Sequence, residues 1–101
     1  MRWYAWDPAK AASNRTKHGV SFEVAVKVFD DPNALTAFDQ GEHGDNRWRT
    51  LGGVAGSLLL VVVHTEEEDD GDEIVRIISA RRANRQERID HETALSARHR
   101  R

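Results

Sequence analysis

The sequence predicts an α+β fold: a short N-terminal strand and two N-terminal helices, then an antiparallel four-stranded meander sheet, then a closing C-terminal helix. Three observations predict it. Apolar residues recur at helical spacing up to Phe29, the period becomes strand-like from Ala34, and a helix-capping pair follows the last strand at Asn84 and Glu87. Runs of helix followed by runs of strand point to α+β rather than to a doubly wound sheet. With 101 residues the chain is expected to form one domain over 1–101, with 93–101 as a frayed tail.

Trp3-Tyr4-Ala5-Trp6 is a short aromatic strand. Asp7-Pro8 starts the first helix, with Asp as N-cap and Pro at the first helical position, where its missing N–H costs nothing. Gly19 stops that helix. Ser21 caps a second helix carrying Phe22, Ala25, Val26 and Phe29 on one stripe, and Asp30-Asp31-Pro32 ends it. Ala34–Phe38 is a weak strand, followed by a polar loop from Asp39 to Asn46. Arg47–Leu51 alternates as a strand and Gly52-Gly53 is expected to turn. Ser57–Thr65 is an apolar strand buried on both faces, and Ile74–Arg81 is its antiparallel partner. The last helix, capped by Asn84 and Glu87, carries few apolar residues, chiefly Ile89 and Leu95.

Charge is distributed unevenly. The formal net charge is −2, yet from Arg76 to the C-terminus there are eight Arg and no Lys against Glu87, Asp90 and Glu92. Seven acidic residues lie between Glu66 and Glu73; without them 15 basic residues face 10 acidic ones. The acidic block reads as a solvated turn, because the alternating ligands and closing Glu of a calcium loop are absent. The basic segment reads as a phosphate-binding face, since guanidinium groups on a rigid strand match phosphate geometry. No cysteine is present, which excludes a disulfide framework and thiolate chemistry. The longest apolar run, Leu58–Val63, is too short to span a bilayer. Met1-Arg2-Trp3-Tyr4 leads into a helix signal rather than a signal peptide, so a cytoplasmic protein is expected.

Several strings taken together resemble one family. They are Trp6-Asp7-Pro8-Ala9-Lys10, Lys17-His18-Gly19-Val20-Ser21-Phe22-Glu23 and Val28-Phe29-Asp30-Asp31-Pro32, followed by Arg47-Trp48, Leu60-Val61-Val62-Val63-His64-Thr65, Arg76-Ile77-Ile78-Ser79-Ala80-Arg81 and Glu87-Arg88. In this order, over roughly residues 3 to 92, they resemble the BrnT family of type II toxins. The resemblance implies a RelE-like fold and a metal-independent endoribonuclease that inhibits translation and growth. It also implies neutralisation by a BrnA-type antitoxin in an assembly of two toxins and two antitoxins, with DNA bound only through the antitoxin. The acidic segment 66–73 is longer than such a family would require, and Ile89-Asp90-His91 stands where many relatives carry a Tyr after Glu-Arg.

Metal-free RNA cleavage needs a base near the 2′-hydroxyl and cations around the phosphorane, and leaves a 2′,3′-cyclic phosphate. Arg47 and Arg49 share a strand face and can cradle phosphate or form a solvated face. Arg81, at a strand end, is a candidate catalytic cation, and Arg76, Arg82 and Arg85 are candidate RNA-binding groups. Lys17 and His18 end the first helix, where the helix dipole favours cations on its own account; with the resemblance they join Arg47 and Arg81 as catalytic candidates. Glu23 and His64 are candidate bases, set against a helix-start acid and a hydrogen-bonded wall residue. His43 and His99 are expected in mobile segments and are not site candidates. No metal site or cofactor is expected, since no histidine pair has ligand spacing. Trp3, Trp6 and Trp48 are expected mostly in the core. The alternative function is a non-catalytic nucleic-acid- or partner-binding module using the Arg-rich face.

Overall fold

The structure is a computed structural model, described for residues 1–39 and 46–98; most of the expected polar loop, with His43 and His99, lies outside the described residues. In chain order the elements are β1 (Arg2–Ala5), α1 (Pro8–His18), α2 (Phe22–Ala25) continuing as a 3₁₀ helix (Val26–Asp30), β2 (Leu35–Asp39), β3 (Arg47–Val54), β4 (Leu58–Asp69), β5 (Asp72–Arg82) and α3 (Arg85–Arg98).

The caps are where the sequence puts them. Asp7 accepts from the Ala9 backbone at 2.9 Å, and Gly19 closes α1 at φ +70° in the left-handed region. The Ser21 hydroxyl accepts from Val24, and Asn84 and Glu87 exchange backbone bonds of 2.8 Å as a reciprocal capping box. The predicted second helix is only partly α-helical: after one turn it tightens to 3₁₀ geometry. α3 runs through 93–98, where a frayed tail was expected, and Arg98 donates to the Pro32 carbonyl at 3.2 Å.

Strands β2 to β5 form the expected antiparallel meander, but the sheet is mixed and five-stranded in the order β1-β5-β4-β3-β2. β1 pairs parallel to β5, Trp3 opposite Ile74 and Ala5 opposite Arg76, a pairing between chain ends that no local signal encodes. Two further expectations are corrected. Gly52-Gly53 does not turn. β3 continues to Val54, and Gly52 lets the 3₁₀ helix approach, since a Cβ there would stand 2.8 Å from Val28 Cγ1. The acidic block is not a turn either. Glu66–Asp69 extend β4, Asp72-Glu73 open β5, and only Asp70 (φ +51°) and Gly71 (φ +86°) turn. Asp-Gly with both residues in the left-handed region is the tight hairpin connection whose twist suits the flanking strands, so the ladder runs on through the charges.

Alternation along the strands gives the sheet two different faces. On one, Val54, Leu60, Val62, Val75, Ile77 and Ala80 pack with Val20, Phe22, Ala25 and Val28 from the helical segment to form the main core. α1 is tied to it by Asn14, whose buried amide donates to the Val20 and Ala80 carbonyls and accepts from the Ala80 backbone. On the other face a smaller cluster of Leu51, Leu59, Val61 and Ala83, with Leu35, lies at the α3 end of the sheet. The remainder of that face carries the charged residues.

Candidate nucleic-acid interface

Strand register brings four of the candidate arginines to the second face. Thr65 stands between Arg47 on β3 and Arg76 on β5, so one row across the sheet reads Asp39, Arg47, Thr65, Arg76, Ala5. The next row reads Ala37, Arg49, Val63, Ser79, and the third reads Leu35, Leu51, Val61, Arg81. With strands about 4.8 Å apart, Arg47 and Arg76 emerge about 10 Å from each other, and Arg49 and Arg81 follow one and two rows further along the sheet. Arg49 and Arg76 are exposed, and Arg47 and Arg81 half-buried. A β-bulge between Val63 and His64 accommodates the extra residue on β5 and keeps Arg81 on the same face as Arg76.

Arg81 is not a free cation. Its guanidinium donates to both oxygens of Glu87, at 2.7 and 2.9 Å, in the bidentate fork that suits a carboxylate. The Arg81 hydrogen bonds, with further help from the Asn84 backbone and the charges of Arg81 and Arg49, hold the Glu87 carboxyl below its usual range. Glu87 therefore stays ionised, fixes Arg81 at the face and faces Arg49 through space. Its capping role is legible in the Asn84–Glu87 spacing; the grip on Arg81 is not, because it spans the junction between a strand and a helix.

The other candidates are elsewhere. α1 packs on the helical side of the sheet, so Lys17 and His18 at its C-terminal end do not join the four arginines. Alternation at the end of β5 turns Arg82 away from Arg81, into a groove lined also by Arg15, Gly19, Ser21, Val24 and Leu58. This makes a second, smaller basic region beside the basic last turn of α1 (Arg15, Lys17, His18). Arg85 is exposed in the first turn of α3, and Glu23 is exposed on α2.

His64 is corrected from candidate base to core residue. It is fully buried, packs edge-on against Phe29 with ring centroids 4.9 Å apart, and its Nε2 shares a 2.7 Å hydrogen bond with the Thr50 hydroxyl, itself bonded to Thr36. Burial, reinforced by the Arg2 charge, lowers its pKa to about 4. Glu66 is 3.8 Å from Nδ1, too far to hydrogen-bond, and the imidazole stays neutral at physiological pH.

The tryptophans divide. Trp6 stands edge-on to Phe22 at 5.9 Å, in the core, and Trp48 edge-on to Phe38 at 5.4 Å on the outer strands. Trp3 is 52% exposed, against the expectation of burial.

Similarity to known proteins is consistent with this geometry. The family described as "Ribonuclease toxin, BrnT, of type II toxin-antitoxin system" matches residues 6–87. Among solved structures, the Brucella abortus ribonuclease toxin BrnT superposes with a TM-score of 0.62 at 22% sequence identity, covering 84% of this chain and 99% of that one. At that identity the likeness establishes a shared fold. No curated protein sequence matches the chain significantly.

Proposed function

This chain belongs to the BrnT family of ribonuclease toxins of type II toxin–antitoxin systems, and on that premise we propose that it is an endoribonuclease whose site is the four-arginine face of the sheet. The observation that carries this reading is the cross-strand array of Arg47, Arg49, Arg76 and Arg81, displayed on a strand framework with Arg81 pre-oriented by Glu87. Cations held in place by a rigid sheet need little reorganisation when charge develops on a phosphorane.

The reaction proposed is metal-independent transesterification. The 2′-hydroxyl oxygen bonds to the adjacent phosphorus and gives up its proton to a base. The P–O5′ bond breaks and the 5′-oxygen leaves with a proton, so the products are a 2′,3′-cyclic phosphate and a 5′-hydroxyl. Arg49 and Arg76, exposed on the face, contact the phosphate oxygens, with Arg47 and Arg81 at its flanks. Lys17, His18 and Arg82 lie around the end of α1 and are assigned to flanking phosphates, with Arg85 extending the basic surface along α3. DNA, lacking the 2′-hydroxyl, is spared. The further elements of the proposal are a cytoplasmic toxin acting on translation, a BrnA-type antitoxin that covers the basic face, and an assembly of two toxins with two antitoxins.

A second reading is favoured by one observation: neither the candidate bases Glu23 and His64 nor the catalytic candidate His18 lies on the arginine face. On that reading the face binds RNA without cutting it. Incubation of the purified chain with 5′-labelled RNA in excess EDTA separates the two. Cleavage with cyclic phosphate ends, lost in Arg76→Ala, supports the enzyme. Retarded but intact RNA supports the binding module. Cleavage lost in His18→Ala but retained in Arg76→Ala moves the site to the end of α1.

A further inference from the structure

We propose that Trp3 is a stacking platform for an unpaired RNA base, at one end of the strand bound on the arginine face; the inference rests on that face being the RNA site. β1 pairs with β5 through its backbone, and its core side carries Tyr4, whose ring lies 5.4 Å from Phe29, and Arg2, whose guanidinium stands 5.7 Å from the same ring. Alternation then puts Trp3 on the opposite side, with Ile74 and Arg76, and leaves the indole 52% exposed. Among the described residues it makes no ring contact, whereas Trp6 and Trp48 each meet another aromatic ring. A large ring left open on a charged face is the informative exception to burial.

The surroundings identify the ligand. Ala5 stands opposite Arg76, and Trp3 is two residues before Ala5, so the indole rises about 8 Å from the Arg76 Cα, on the scale of one nucleotide from phosphate to base. From the row of Trp3 onward the same face becomes mainly acidic: Glu67 stands opposite Ile74, and Asp69 and Asp72 close the hairpin, with Asp72 3.3 Å from the Met1 ammonium. A phosphate is repelled there, but a neutral base is not, and a carboxylate accepts hydrogen bonds from the exocyclic amino group of a base. The face thus changes, within one nucleotide's reach, from cations to an aromatic ring to carboxylates. That sequence fits the terminal base of a single strand whose phosphates lie on Arg76 and Arg47. A protein segment docking here would meet one ring among polar groups and little apolar area to bury. Trp3 lies outside the 6–87 segment matched by the family, so the inference rests on this chain's own residues and not on that match.

The test uses the full chain and a short single-stranded oligoribonucleotide with 2′-O-methyl sugars, which binds without being cut. Trp3→Ala is expected to weaken binding about tenfold and Trp3→Phe to retain most of it. The salt dependence stays as in the wild type, because no phosphate contact is removed. Arg76→Ala serves as the control: it weakens binding and lowers the salt slope by about one. Wild-type affinity in Trp3→Ala, with binding weakened in Arg76→Ala, overturns the platform and leaves the RNA face standing. Unchanged binding in both variants overturns the face as well. Loss of antitoxin binding in Trp3→Ala, with RNA binding unchanged, assigns the indole to protein docking and overturns the inference. Melting curves of Trp3→Ala matching the wild type exclude misfolding as the cause of its loss, and retention in Trp3→Phe ties the effect to the ring.

Discussion

The two faces of the sheet are built from alternate residues of the same strands, yet they treat charge in opposite ways. His64 on β4 points into the helical side and is held neutral there, walled by Phe29 and bonded to Thr50. Its neighbours point the other way, Thr65 between Arg47 and Arg76 and Val63 beside Arg49. His64, buried on the helical side, contributes to stability only in its uncharged form. On the open side Arg49 and Arg76 are exposed, and exposed charges contribute little to stability. The two alternating sets of positions thus divide between the core and a charged face, and the proposed RNA site stands on the second.

The largest expected effect that can break this contrast comes from acid. The His64 pKa is lowered from 6.5 in the unfolded chain to about 4 in the folded one. Between those values the unfolded state binds the proton and the native state does not. Stability from this residue is therefore present above about pH 6.5 and lost as pH falls toward 4, by about 3 kcal/mol. Denaturant titrations from pH 4 to 7 should show the slope, and His64→Gln should remove most of it. An equal slope in the variant would mean that the carboxylates, rather than the core imidazole, govern acid unfolding.

On the open face the expectation reverses. Arg76→Ala should lower kcat/KM for RNA about a hundredfold, the scale for losing one pre-organised charge-stabilising group, which corresponds to about 2.7 kcal/mol. Its unfolding free energy should stay within about 0.5 kcal/mol of wild type, as for an exposed substitution. Parallel kinetics and urea melts measure both. A stability loss matching the activity loss would mean that Arg76 is structural and the two faces are not separate.

Gly52 sharpens the contrast from the core side. A methyl group there meets Val28 Cγ1 at 2.8 Å and the Val28 carbonyl oxygen at 3.2 Å. Gly52→Ala should therefore cost about 1–3 kcal/mol as the 3₁₀ helix is pushed off the sheet. RNA affinity per folded molecule should be unchanged, which binding measured at low temperature would verify. Reduced affinity would show that the helical side controls the arginine array.

What was legible in the sequence divides along a physical line. Asp7, Gly19, Ser21 and the Asn84–Glu87 pair announced their helix ends because capping is settled within four residues. The α+β class and the antiparallel β2–β5 meander followed from the change of period. The parallel docking of β1, the continuation of β3 through Gly52-Gly53 and the split between Lys17-His18 and the arginines all depend on contacts far apart in sequence. Gly52 read as a turn because close approach and a turn both select glycine, and only the position of Val28 decides between them. Asp70-Gly71 carried a hairpin signal that the surrounding charge obscured. Arg47 and Arg49 could be put on one face by alternation, but their meeting with Arg76 and Arg81 required the register and the bulge.

The smallest effect concerns the contact that joins the open face to α3. Glu87→Gln keeps the capping geometry, since an amide oxygen still accepts from the Asn84 backbone, but removes the charge that grips Arg81. Folding holds the Glu87 carboxyl below its usual pKa, chiefly through the Arg81 hydrogen bonds. The stability it contributes is thus present above the unfolded pKa and lost as pH falls through the folded one. Because Arg81 is about one-third exposed, screening limits that contribution to below about 1 kcal/mol at neutral pH. The consequence for activity should be the larger one: Arg81 loses its fixed orientation, and kcat falls while KM changes little. A pH–stability profile and single-turnover cleavage distinguish the roles. If the variant loses stability at neutral pH but cleaves as the wild type does, the Arg81–Glu87 fork belongs to the fold alone and the reacting array reduces to Arg47, Arg49 and Arg76.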